Sequence, residues 1–443
     1  MKKRALMLFA WDLRLQDAPA LQAAARQADQ LICAALPIDQ HPAVRAYESQ
    51  VGDVSPARRQ FIQQCRASLA LDLLKRGHSL YQLSAQALEE LSRLIEQQQI
   101  TLVYRHRHPG HYENALWSAL RERFAGVQFL EFEARTLFHQ ASLPFSLADI
   151  PRSFTAFRKQ VESRPIEPAR PAPQHLPLPP AALDLARVHP QAFARLPGGS
   201  VSFIGGEAAG LAHMQAYFAA GHASRYKQTR NALSGWSQSS KLSAWLASGS
   251  LSPRQVYQAL RAYESLHGAN ESTYWLYFEL LWREYFQWLA SVLGPALFRF
   301  RGLKATPPLT SFYPQRFQAW CAGRTPWPIV NACMRELKAT GYMSNRGRQL
   351  VASCLVNELQ LDWRYGAAYF ERQLLDYDMA SNWGNWQYLA GVGVDPRGGR
   401  HFDLDKQTRL YDPQGRFIRS WAGEVEAAQL DVTDMVDWPV AAD

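Results

Sequence analysis

Cysteine is scarce in this sequence: Cys33, Cys65, Cys321, Cys333 and Cys354 are the five in 443 residues, with no C-x-x-C pair and no Cys/His ligand spacing. That pattern excludes a disulfide framework, and it gives no support to a zinc site or an iron–sulfur cluster. Scattered free thiols point to a reducing compartment, so a cytoplasmic protein is expected. Long apolar runs are missing too; nothing approaches the roughly eighteen residues a membrane helix needs. The apolar stretch 5–11 is broken by Asp12 and Arg14 too early for a secretory signal. There is no internal repeat and no low-complexity tract. The glycine-rich stretch 391–399 lacks the strand-to-helix context of a dinucleotide fingerprint.

What the chain does have is aromatic residues and positive charge. It holds 14 Trp, 18 Tyr and 21 Phe, and most of the Trp lie beyond residue 230. The formal charge is +9, which favours a polyanionic partner because neutralised phosphates release condensed counterions. Hydrophobic residues at 47% and charged residues at 20% fit a folded globular protein.

The order of patterns divides the chain. Short β-type apolar runs at 4–11, 31–38, 78–83, 100–106 and 127–133 alternate with helical periodicity at 17–28, 56–76, 85–98 and 112–124. Strands alternating with helices predict a parallel sheet covered on both faces. Nine prolines between 165 and 197 then make long helices or central strands improbable, leaving room for one short helix around 181–187. From about 203 the periodicity is helical. We therefore expect an α/β domain over 1–140, a proline-rich connector over 141–202 and an all-helical domain over 203–443.

Four polar–aromatic clusters in the second half are candidate sites. On a helix through 274–286, Glu279, Trp282 and Arg283 share a face, where a carboxylate beside a large ring could hold a nucleobase. The plainer reading is an intrahelical Glu279–Arg283 pair beside a packed Trp. In 341–349, Asn345, Arg348 and Gln349 share one helical face, with Arg346 pointing elsewhere; amides and guanidinium groups can read a heterocycle or pair with phosphate. A solvated helix start would look the same. The run 376–388 packs Asp376, Asp378, Asn382 and Trp386 into thirteen positions, either a hydrogen-bonding cluster for a ring cofactor or a capped turn. Tyr226 and the Ser-rich stretch Ser239, Ser240, Lys241, Leu242, Ser243 could cradle a diphosphate at a helix start, or merely cap one.

Taken together, SRYKQTRN, SSKLSAWLASGSLSPR, FELLWREYF, GYMSNRGRQ and LLDYDMASNWGNW resemble the FAD-binding domain of DNA photolyases and cryptochromes, most closely the DASH cryptochromes. The resemblance spans nearly the whole chain. At the N-terminus FAWDLRLQDAPAL stands where the family has FRNDLRLHDNPAL. It implies an N-terminal antenna domain and a helical domain holding a U-shaped FAD. Tyr226 and Ser239 to Ser243 would then line the FAD phosphates and ribityl chain. Glu279, Arg283, Asn345, Arg348, Asp376 and Asp378 would surround flavin and adenine, and Asn382 would face flavin N5. The implied activity is blue-light repair of cyclobutane pyrimidine dimers, by electron transfer from photoexcited FADH⁻ to a dimer flipped out of its stack. Glu279 would hydrogen-bond the dimer, Trp282 would stack on it, and Asn345, Arg346, Gln349 and Tyr388 would contact the DNA.

Two departures qualify the resemblance. Trp386 and Trp363 match the first two members of the family's electron-feeding Trp series, but Thr310 stands in the third place, with Phe312 and Tyr313 beside it and Tyr313 the candidate to end the series. Tyr388 replaces a second stacking Trp and Gln349 an apolar residue, which favours single-stranded DNA, already unstacked, as substrate. A methenyltetrahydrofolate antenna is a candidate second cofactor, with Glu113 as its ligand. The rival functions are a regulatory cryptochrome without repair and a simple nucleic-acid-binding module. Against the first stand Glu279, Trp282 and Asn382 and a short stretch beyond Trp421; Ser344, where a catalytic His is expected, argues against a 6-4 photolyase. The protein is expected to act as a monomer.

Overall fold

The computed structural model describes residues 2–37, 42–180, 183, 185–190, 203–394 and 399–424. Five strands form one parallel sheet in the order β3-β2-β1-β4-β5: β1 Arg4–Phe9, β2 Gln30–Ala35, β3 Leu80–Gln82, β4 Leu102–His106 and β5 Gln128–Phe132. Helices Pro19–Gln27, Pro56–Leu74, Ala87–Gln97 and Ala115–Arg123 occupy the four crossovers. β1 stops at Phe9 rather than at 11 because the Asp12 carboxylate accepts the Ala10 N–H at 2.6 Å and turns the chain out of the sheet.

Successive strand residues point to opposite faces, and here the two faces meet different cores. Leu6, Leu8, Ile32, Ala34 and Val103 pack with Leu91, Leu94, Trp117 and Leu120 in a core confined to the α/β half. Ala5, Met7, Phe9, Cys33 and Tyr104 belong instead to a core that runs on into the helical half. The sheet is thereby fused to the helices behind it.

Polar contacts fix the same junction. Arg14, 1% exposed, donates to the carbonyls of Gly249, Asp17 and Ala134, each at 2.8 Å. Glu207 accepts the Leu15 and Gln16 N–H groups at 2.8 and 3.0 Å, and Arg254 pairs with the fully buried Asp17 at 2.9 Å. A buried guanidinium is tolerated only where its donors are satisfied, so the D-L-R-L-Q-D stretch acts as a clasp between the two halves.

The connector departs from expectation in two places. Of the short helix expected around 181–187, residues 181, 182 and 184 lie outside the described residues and the remainder is not helical. Arg187 instead bridges Tyr81 antiparallel, with Gln82 N–H donating to Ala186 O and Val188 N–H to Leu80 O, both at 2.8 Å. That pairing covers the open edge of β3, where unpaired backbone groups would invite aggregation. Further upstream, helix Phe154–Val161 is capped by Ser153 and buries Phe154 and Phe157. Most of the remaining described chain is helical, and no helix among the described residues is long and apolar enough to cross a membrane.

Candidate active site

Four segments of the helical half converge on one cavity of about 770 Å³. Helix Glu271–Leu293 brings Glu279, Trp282, Arg283 and Phe286, spaced at i, i+3, i+4 and i+7 so that they share a face. Helix Asn345–Ser353 begins at Ser344, whose hydroxyl accepts the Gly347 N–H at 3.1 Å, and presents Asn345, Arg346, Arg348 and Gln349. Helix Met379–Leu389 starts at Asp378 and supplies Asn382, Trp386 and Tyr388. Tyr226 and Ser239 to Ser243 close the remaining side, with Lys241 at φ +54°, a conformation L-residues seldom adopt outside turns. Every flavin- or DNA-site residue singled out from the sequence lines this cavity except Trp363.

The charges are arranged in buried pairs. Asp378 accepts from Arg135 at 2.8 Å, Gln287 Nε2 at 2.8 Å and the Ser381 N–H at 2.9 Å, with Arg283 at 3.7 Å. Burial pushes its pKa up, yet Arg283 and Arg135 outweigh that and hold it well below the ordinary carboxylate value. Burial lowers Arg283 to about 10. One guanidinium nitrogen of Arg348 bonds both Asp376 oxygens, at 3.0 and 2.8 Å. The Asn382 amide donates to Ala367 O at 3.0 Å, which orients the side chain before any ligand arrives.

This donor set fits FAD. The volume lies in the upper part of the range for ligand pockets. Lys241 supplies positive charge for a diphosphate, Ser239, Ser240 and Ser243 supply hydroxyls, and the Arg283–Asp378 and Arg348–Asp376 pairs with Asn382 supply donors, acceptors and an amide for ring nitrogens and oxygens.

At the cavity mouth the geometry differs from the simplest reading of the sequence. Glu279 forms its ion pair with Arg230, not with Arg283, whose Nη1 instead donates to Arg135 O at 2.5 Å. Trp282 stacks on Phe154 with centroids 3.7 Å apart and planes 12° apart, and meets Tyr388 edge-on at 5.9 Å. Arg346 donates to Asn231 at 3.2 Å and lies over Tyr411 at 4.7 Å. Arg230 lies over Trp275 at 4.7 Å, and Arg400 hydrogen-bonds the Tyr388 hydroxyl. Arg230, Trp275, Arg400, Phe402 and Tyr342 were not singled out individually from the sequence, though all five line the cavity. Arg230 sat inside a quoted motif; Arg400 and Phe402 gave no signal beyond residue type.

Trp363 lies outside the wall. Its ring meets Trp383 at 5.9 Å and its indole N–H donates to Phe300 O at 2.9 Å. Trp386 meets Phe370 at 5.2 Å and Trp320 at 6.3 Å. Gly366, on the same helix as Trp363, lies under the Trp386 ring: a Cβ there would stand 2.3 Å from Cη2. Gly366→Ala is therefore expected to cost about 1–3 kcal/mol through overpacking against the indole. Thermal unfolding checks it. Thr310 is buried with no hydrogen-bond partner for its hydroxyl, Phe312 stacks on Tyr365 at 3.8 Å, and Arg316 lies over Tyr313 at 4.6 Å.

A second cavity, about 290 Å³, opens at the carboxyl ends of β1 and β4. There the strand order reverses, the usual place for a ligand in an open α/β sheet. Trp11, Arg45, Arg105, His108, Glu113 and Arg135 are among its walls, and burial raises the Glu113 carboxyl to about 7.

Comparison with known proteins bears on both halves. A family model described as DNA photolyase matches residues 5–177, and one described as the FAD binding domain of DNA photolyase matches residues 275–440. Cryptochrome DASH of Idiomarina loihiensis is 48% identical over 436 residues, covering 98% of this chain and 96% of that relative. Cryptochrome DASH of Vibrio parahaemolyticus is 48% identical over 439 residues, covering 99% and 98%. Among solved structures, a Synechocystis sp. PCC6803 cryptochrome superposes with a TM-score of 0.86 at 38% identity, covering 95% of this chain and 89% of that one. A Sulfolobus tokodaii photolyase with two FAD molecules, described as implying a novel light-harvesting cofactor, superposes with a TM-score of 0.75 at 25% identity, over 94% and 90%.

Proposed function

This chain belongs to the DNA photolyase and cryptochrome family, is most like its DASH members and carries the family's FAD-binding domain, and from that premise we propose that it repairs cyclobutane pyrimidine dimers under blue light, with single-stranded DNA the preferred substrate. The observation that carries this reading is that one cavity wall holds both sets of groups. Asp376, Asp378, Asn382, Arg283 and Arg348 line the part suited to a flavin, and Glu279, Trp282, Tyr388, Arg346 and Arg400 line the mouth. A flipped-out dimer entering that mouth would meet the flavin without any barrier of protein between them.

FAD, when bound and reduced, supplies light absorption and the transferred electron. The chain's residues do the rest. Glu279, about one-third exposed beside Arg230, presents carboxylate oxygens to the pyrimidine edges. Trp282, backed by Phe154, gives a stacking surface. Arg346 and Arg400, with Asn345 and Gln349, hold the flanking strand through phosphate and amide contacts. Tyr388 offers a smaller π-face than Trp, so less stacking offsets the few kcal/mol that extraction from a duplex costs. The second cavity suits an antenna chromophore such as methenyltetrahydrofolate, with Glu113 in its wall. Five free, buried cysteines accord with work in the cytoplasm, and a monomer suffices because one chain supplies the whole site.

Purified protein with reduced flavin, mixed with dimer-containing single-stranded and duplex oligonucleotides, tests the reading. Dimer loss in light and not in darkness, faster on the single strand, is the expected result. Intact dimers after illumination of fully reduced protein would overturn it and leave a light-responsive regulator as the better description.

A further inference from the structure

Between the two aspartates Asp376 and Asp378 stands Tyr377, whose role none of the preceding steps explains. It is 3% exposed and lines the main cavity. Its hydroxyl hydrogen-bonds to Glu371, itself 1% exposed, and the same carboxyl accepts the Trp383 indole N–H at 2.8 Å. Trp383 in turn meets Trp363 edge-on at 5.9 Å. A phenol in the cavity wall, a buried carboxyl behind it and two indoles behind that form one connected series. Arg58 lies over the Tyr377 ring at 4.6 Å, and Trp11 meets the ring edge-on at 6.3 Å.

A tyrosine gives up an electron readily only if its phenol proton can leave at the same time, because the oxidised phenol is a strong acid. In a dry interior that proton needs a base within hydrogen-bond reach. Glu371 is such a base, built in before any light is absorbed. The Arg58 guanidinium would oppose a cationic ring, but it does not oppose a neutral one. The surroundings therefore select transfer of electron and proton together.

We propose that Tyr377 is a proton-coupled electron donor to a flavin in this cavity, with Glu371 as its proton acceptor. One electron passes from Tyr377 to the photoexcited oxidised flavin. The phenol O–H bond breaks, a new O–H bond forms on the Glu371 carboxylate, and Tyr377 is left as a neutral radical. A thiol-class reductant in solution, directly or through Trp363 and Trp383, returns the electron, and Glu371 returns the proton. This route would serve a chain in which Thr310 interrupts the outer end of the Trp series. It rests on flavin occupancy of the cavity and on photoreduction, not on dimer repair.

The test uses the full-length FAD-loaded protein, illuminated in its oxidised state and frozen for electron paramagnetic resonance, with ring-deuterated tyrosine to identify a tyrosyl signal. A tyrosyl radical is expected in the unaltered protein and in Y313F. It is expected to be lost in Y377F, with slower flavin photoreduction. E371Q is near-isosteric and keeps one acceptor oxygen but cannot take the proton, so the signal should be lost there too, and the solvent-deuterium effect on photoreduction seen in the unaltered protein should disappear. No tyrosyl signal in the unaltered protein, a signal that survives in Y377F, or one that vanishes in Y313F instead would each overturn the proposal. If Y377F fails to fold, E371Q and the isotope effect decide. Repair is scored separately on chemically reduced unaltered protein, so intact dimers there would sink the repair reading and leave this one standing.

Discussion

Asp378→Ala is expected to cost about 3–5 kcal/mol of stability, the usual cost of removing one partner from a buried ion pair, and to yield protein that no longer retains flavin. Two guanidinium groups depend on this carboxylate: Arg135 at 2.8 Å and Arg283 at 3.7 Å, with Gln287 and the Ser381 N–H completing its hydrogen bonds. Removing it strands Arg135, 6% exposed, in the middle of the molecule. It also removes the cap of helix Met379–Leu389, worth about 1 kcal/mol by itself, and that helix carries Asn382 and Trp386. Because burial is outweighed by the two arginines and the folded pKa lies below the ordinary 3.8, the stabilisation is complete above that value and is lost as pH falls through the lowered one. Urea titration of apoprotein and the flavin content of purified protein measure the two effects. D378N keeps a cap and should retain part of the stability. A midpoint equal to that of the unaltered protein, with full flavin content, would show that Arg135 and Arg283 find other partners and that pairing with Asp378 is not what holds them.

The contact behind that prediction was invisible in the sequence. Arg135 and Asp378 are 243 residues apart, and nothing in FEARTLFH marks its arginine as a partner. Periodicity placed the five strands and the face shared by Glu279, Trp282 and Arg283, because those are local consequences of a two-residue or 3.6-residue repeat. It could not choose a partner for Glu279. The i,i+4 neighbour Arg283 is the obvious one on an isolated helix, yet tertiary packing turns Arg283 to Asp378 and Arg135 O, and Arg230 takes its place. Phe154 was hidden for the same reason: its value lies in stacking against Trp282 from a region whose prolines suggested only a connector. Among the described residues of the helix expected near 181–187, Ala186 and Arg187 instead pair with the open edge of β3, which offers that backbone partners a short helix could not. The family motifs supplied what periodicity could not, because they encode which distant residues share a cavity.

Trp282→Ala should weaken binding of dimer-containing single-stranded DNA about five- to 150-fold, the effect of losing about 1–3 kcal/mol of stacking. Phe154 packs against this ring at 3.7 Å, so the indole is held in place and little entropy is lost when a base stacks on it. The loss on duplex should be greater in its consequence. There the binding energy must first offset extraction of the lesion, and in the proposed reading Tyr388 supplies the smaller of the two stacking surfaces. Restoring the larger one makes the converse case: Y388W should narrow the gap between single-stranded and duplex substrates, although it removes the hydroxyl that Arg400 bonds. Fluorescence anisotropy in darkness, with reduced flavin and at fixed salt, gives both comparisons, since the phosphate contacts and their salt dependence are shared by the variants. Equal weakening of dimer-containing and undamaged strands by W282A would mean that Trp282 stacks on ordinary bases. A Y388W protein that still discriminates as strongly would move the cause of the proposed single-strand preference away from Tyr388 and toward the shape of the mouth set by Arg400, Phe402 and Gln349.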